Sequence, residues 1–91
     1  MPKFRRAQGP EDHAILITLR RDESGVTRGE VLGRLVQEGG SFIRHAVPSK
    51  GYLSGKEAVE RAISWRNGRD IPIAVIDPEG LWLPEWGDLE G

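Results

Sequence analysis

The segment Ala14-Ile15-Leu16-Ile17-Thr18-Leu19 constrains this chain more than any other. In an extended backbone, Ile15, Ile17 and Leu19 share one face, and Ala14, Leu16 and Thr18 share the other. Both faces are apolar at the centre. Such a strand loses its hydrophobic stabilisation unless it has neighbours on both sides and cover on both faces. Residues 13–21 therefore read as an interior strand, and Asp22-Glu23-Ser24-Gly25 reads as the turn that ends it.

The following segments extend this pattern. Thr27 and Glu30 have the spacing of a helix capping box, and Val31, Leu32, Leu35 and Val36 form a stripe at helical spacing. These features predict a first helix ending at Gly39 or Gly40. Gly29 and Gly33 oppose it, each costing about 1 kcal/mol relative to alanine. Residues 41–47 read as a second strand ended by Pro48, with a short extended piece at Tyr52 and Leu53. A second helix follows, opened by Ser54 and Glu57, with Ala58, Val59, Ala62, Ile63 and the stem of Arg66 toward one face and Gly68 as its terminator. Residues 70–77 return to extended character. Pro78–Gly80 reads as a turn, and residues 81–83 as a returning strand.

The expected fold is α/β or α+β: one small two-layer domain of approximate β-α-β-α-β order with a terminal β-hairpin. If the piece at Tyr52 and Leu53 is a strand, the order becomes that of a ferredoxin-like split fold. Residues 1–12 read as a basic N-terminal arm, 13–83 as the compact domain, and 84–91 as an acidic, aromatic C-terminal tail. A chain of 91 residues supports one modest core. No apolar run exceeds that of residues 14–17, which is far short of the roughly 20 residues that span a bilayer, so no membrane association is expected. The absence of cysteine removes disulfides and thiolate chemistry and points to a cytoplasmic setting.

Charge is strongly segregated. Residues 1–69 hold 13 basic and 8 acidic residues, a balance of +5, whereas residues 70–91 hold 6 acidic residues and no basic one. A basic body attracts phosphate or an acidic protein surface, and the acidic segment can satisfy it within the chain or in a neighbouring subunit. The phosphate or nucleic-acid candidates are Arg44, Lys50, Lys56 and Arg66. Lys50 and Lys56 flank Gly51 and Gly55 at the start of the second helix, where open N–H groups can hold an anion. The spacing is not that of a phosphate-binding loop, because Glu57 stands where that loop needs a hydroxyl.

No catalytic arrangement, cofactor site or metal site is legible. His13 and His45 lie on separate expected strands and would need long-range convergence to act as ligands or bases. The segment Leu81-Trp82-Leu83-Pro84-Glu85-Trp86 is unusually aromatic for this chain. Trp82 and Trp86 suit either their own thin core or a partner, and Glu85 and Asp88 beside them suit a basic partner. The chain thus reads first as a small non-enzymatic protein-interaction or regulatory module, binding a protein partner or itself. The alternative is a nucleic-acid-binding accessory protein using its basic surface. A small enzyme or enzyme subunit ranks third.

Overall fold

A computed structural model of the chain describes residues 4–9, 11, 13–34, 36–43, 46–47, 53–66, 68 and 71–90. Strands β1 (Phe4–Arg6), β2 (Ile15–Arg21), β3 (Thr27–Leu32), β4 (Val36–Glu38), β5 (Ser41–Ile43), β6 (Ala46–Val47) and β7 (Leu53–Ser54) precede a single α-helix, α1 (Gly55–Arg66). Strand β8 (Ile73–Ile76), a 3-10 turn at Pro84–Trp86 and strand β9 (Leu89–Glu90) complete the order. The main sheet runs β6-β3-β2-β8-β1-β9, with β7 also paired to β3. One helix packs on a mixed sheet, so the fold is α+β.

Strand β8 lies between β2 and β1 and is parallel to both. Its residues Ile73, Ala74 and Val75 are completely buried. Pro72 has no N–H to give to a ladder, and β8 begins one residue after it, so the central position loses no hydrogen bond. The carbonyl of Pro72 still accepts from the Ile15 N–H at 3.0 Å. The expected two-sided burial of residues 14–19 holds. Ile15, Ile17 and Leu19 join the core under α1, while Ala14 and Leu16 form a second cluster with Ala7 and Ala74 on the opposite face.

The first expected helix does not form. Thr27–Leu32 is the second arm of a hairpin with β2, in register from Leu16↔Leu32 to Arg21↔Thr27. Three features favour the strand. Asp22 builds the turn: its carboxylate accepts from the N–H groups of Ser24 (2.9 Å) and Val26 (3.0 Å), and from Arg28 Nε (3.0 Å). The two glycines that penalise a helix cost less here, because Gly29 becomes the contact point for α1. A methyl group at Gly29 would lie 2.6 Å from Ala58 Cβ. Finally, Gly29 and Val31 are buried while their neighbours are only partly so, which is strand alternation. Gly39 and Gly40, expected to end that helix, form the two-residue turn of the β4–β5 hairpin, both with positive φ. The ferredoxin-like order also fails, since α1 is the one α-helix among the described residues.

The second helix forms as expected. The Glu57 N–H donates to Ser54 Oγ at 3.2 Å, and the Ser54 hydroxyl donates to Glu57 Oε1 at 2.9 Å. Its buried face is Gly55, Ala58, Val59 and Ala62, small enough for close approach to the sheet. Ile63 is exposed, and Trp65 packs against the core in its place.

Strand β1 lies within the expected arm and β9 within the expected tail, so both segments contribute to the sheet. Phe4 is buried and paired with Ile73 on one side and Leu89 on the other. The terminal hairpin is also absent. The Pro78–Gly80 turn closes with the Gly80 N–H donating to Asp77 O at 3.3 Å, but the chain does not return beside β8. It leaves the sheet and re-enters as β9, parallel to β1.

The Gly29–Ala58 contact predicts that Gly29→Ala lowers stability by about 1–3 kcal/mol through overpacking. Gly9→Ala meets nothing within 4 Å and should change stability by less than about 0.5 kcal/mol. Urea unfolding of both variants checks the pair. The Val26 N–H, then Arg28, hold the Asp22 carboxyl below its ordinary range. Its stabilisation is therefore present above the unfolded carboxylate pKa and disappears as pH falls through the lower folded value. A thermal melt series in acid should show a steeper loss of Tm for the wild type than for Asp22→Asn.

Candidate functional site

The site is built where β1, β2 and β8 end, since parallel strands bring their carboxyl ends to one side of the sheet. In open α/β sheets this is where clefts form. Asp77 follows β8 directly and is the buried charged residue of the described core. Its Oδ1 accepts from the Leu81 N–H and its Oδ2 from the Trp82 N–H, both at 2.8 Å. These two N–H groups would have served the expected returning strand. Once the carboxylate takes them, the chain turns away and crosses the α1 side of the sheet as a strap, residues 81–88.

The strap is fixed by its aromatic residues. Trp82 lies against Phe4 with ring centroids 4.9 Å apart, and Trp86 meets Trp82 edge-on at 5.3 Å. The Trp82 indole N–H donates to Gly87 O at 3.0 Å. Trp86 covers the start of α1, where a methyl at Gly55 would lie 2.6 Å from its ring. Gly87 has φ +126°, and a methyl there would strike the Phe4 ring at 2.9 Å. The glycines at 55 and 87 thus admit the two aromatic rings that pin the strap.

Trp82 and Trp86 are therefore half-buried packing residues of their own domain. Between them Leu83 is 44% exposed, and Glu85 and Asp88 are exposed. The structure brings all four expected protein-binding residues onto one segment, with Leu83 added. Leu83 was legible as apolar, but its exposure depends on the turn imposed by Asp77. A groove of about 290 Å³ runs beside the strap, lined by Arg6, Asp77, Trp82, Pro84, Asp88 and Leu89. Arg6 Nη1 donates to Asp77 O at 3.3 Å across its base.

Of the four phosphate candidates, the two that the structure describes, Lys56 and Arg66, stand apart. Lys56 lies in the first turn of α1 and Arg66 in the last, about 15 Å apart along a helix that rises 1.5 Å per residue. Arg66 Nε donates to Ile71 O at 3.0 Å, holding the connection into β8. At the other end, Ser54 occupies the Glu57 N–H and the Glu57 carboxylate stands in the first turn, which opposes an anion. Arg44 and Lys50 lie outside the described residues, as does His45. His13 is exposed, and among the described residues no three His, Asp or Glu side chains are grouped to hold a metal ion. No helix among them is long and apolar enough to cross a membrane. Comparisons with protein families, with curated proteins and with solved structures returned no match.

Removing both Asp77 acceptors leaves two inward N–H groups without partners, at roughly 1–3 kcal/mol each. Asp77→Ala should lower stability by about 2–6 kcal/mol and red-shift tryptophan emission as the strap loosens. Gly55→Ala should shift the emission with less loss of stability, because it displaces chiefly the half-buried Trp86 ring, with a tight contact to the Thr27 methyl, and leaves the Asp77 hydrogen bonds in place. Fluorescence and denaturant unfolding measured together separate the two effects.

Proposed function

We propose that this chain is a non-catalytic protein-interaction module whose recognition surface is the strap. The observation that carries this reading is the exposure of Leu83, Glu85 and Asp88 on a segment anchored by the Asp77 hydrogen bonds and the packing of the two tryptophans. A pinned segment loses little conformational freedom on binding, so more of the contact energy of Leu83 and the tryptophan edges goes into affinity. The exposed carboxylates beside this apolar centre favour a partner with basic residues and repel acidic ones. Tryptophan supplies large contact area with a polar handle, and aromatic anchors dominate such interfaces.

The variant Leu83→Asp places a charge at the exposed centre without touching the core, so its Tm should stay close to that of the wild type. Crosslinking of the tagged chain in a cell extract, followed by quantitative mass spectrometry, should recover a partner whose yield falls at least about tenfold with Leu83→Asp, a loss of roughly 1.4 kcal/mol or more. Equal recovery by both chains would contradict the reading.

A further inference from the structure

We infer that the partner engages the strap as an extended, basic segment that adds as one more strand to β9. This inference rests on the interaction reading above. Three observations meet at β9. First, the sheet order ends there: β9 pairs with β1 on one side, and no described strand pairs with its other side. In a strand, successive residues present their N–H and C=O groups to opposite sides, so one residue of the Leu89–Glu90 pair directs its groups outward. An open edge of this kind is the template for strand addition.

Second, the groove between Trp82, Pro84 and Leu89 lies alongside this edge. Side chains of an added strand alternate between the two faces of the sheet, so one of them is directed toward the α1 side, where the groove lies. Its apolar part, formed by Trp82, Pro84 and Leu89, suits an aliphatic side chain, and Arg6, Asp77 and Asp88 line the rest. Third, charge selects the occupant. Asp88 and Glu90 flank Leu89 and are exposed, with Glu85 nearby on the strap; Arg5, in register with Glu90 on β1, is itself paired with Glu11. Lysine or arginine at alternate positions of the incoming strand would meet these carboxylates. An acidic or neutral strand would not, which gives the edge selectivity and guards it against pairing with its own acidic counterpart.

The test uses the full chain and a synthetic peptide of alternating lysine and valine, labelled for fluorescence anisotropy. A second peptide has glutamate in place of lysine. A third has the lysine sequence with N-methyl groups on alternate amides, which removes ladder donors and keeps every charge. Saturable binding of the lysine peptide is expected. Binding should weaken at least about tenfold, roughly 1.4 kcal/mol, for the N-methylated peptide and for the chain variant Asp88→Lys/Glu90→Lys, with no binding of the glutamate peptide. Amide NMR shifts of the wild-type chain should concentrate at residues 88–90. Equal binding of the N-methylated and parent peptides would overturn strand addition in favour of diffuse charge attraction. No binding of the lysine peptide, alongside a complex that still depends on Leu83, would overturn this inference and leave the interaction reading intact. Loss of both would overturn the two together.

Discussion

The parallel pairing of β8 on both flanks is the constraint on which the rest of the molecule depends. Ile73, Ala74 and Val75 are buried on both faces and join β2 on one side to β1 on the other. Parallel strands need a crossing connection, and two such connections converge here. Helix α1 carries the chain from β7 to β8 across one face, and the link from β1 to β2 passes β8 on the other, burying Ala7 and Ala14 against Leu16 and Ala74. The covers differ greatly in thickness. The helix side holds the large side chains, whereas the opposite side is closed largely by alanines.

Parallel pairing also decides where function can reside. It gathers the ends of three strands at one side of the sheet, and Asp77 stands at the centre of that side. A carboxylate buried with both oxygens accepting main-chain N–H groups acts as a template for the next residues of the chain. It directs the strap across the helix side, where Phe4 and Gly55 receive the tryptophans. The surface proposed for a partner is thus a consequence of one buried acid and two close-approach positions. The same strap delivers the chain to β9 and so creates the edge at which the sheet stops.

Much of this was legible in the sequence where a local pattern and the tertiary contacts agree. The two-faced strand at residues 14–19, the capped helix opening at Ser54 and the extended segment after Pro72 follow directly from residue spacing. Residues 27–36 were not legible, because their apolar positions satisfy a helical stripe while Gly29, Val31 and their neighbours also satisfy alternation. Pairing with β2 and the contact with Ala58 resolve that ambiguity, and both involve residues distant in sequence. The N-terminal strand was hidden for a different reason. Three residues, Phe4-Arg5-Arg6, are too few to show a period, and only the sheet reveals that Phe4 is core. For the candidate site, the sequence marked Trp82, Trp86, Glu85 and Asp88, but the geometry joining them needed Asp77, which reads as an ordinary turn residue. The basic candidates illustrate the opposite limit: a count of arginines and lysines says nothing about convergence, and Lys56 and Arg66 stand at opposite ends of α1.

Amide hydrogen exchange followed by NMR tests the central claim most directly. A strand paired on both sides and buried on both faces opens only when the whole domain unfolds. The amides of Ile73–Ile76 engaged in the ladders, together with those of residues 15–19, should exchange slowest and with one common free energy equal to that of global unfolding. The outlying β4–β5 hairpin should exchange much faster. Rapid exchange along Ile73–Ile76 while α1 stays protected would contradict the account, because the helix would then be stable without the strand on which the sheet is built.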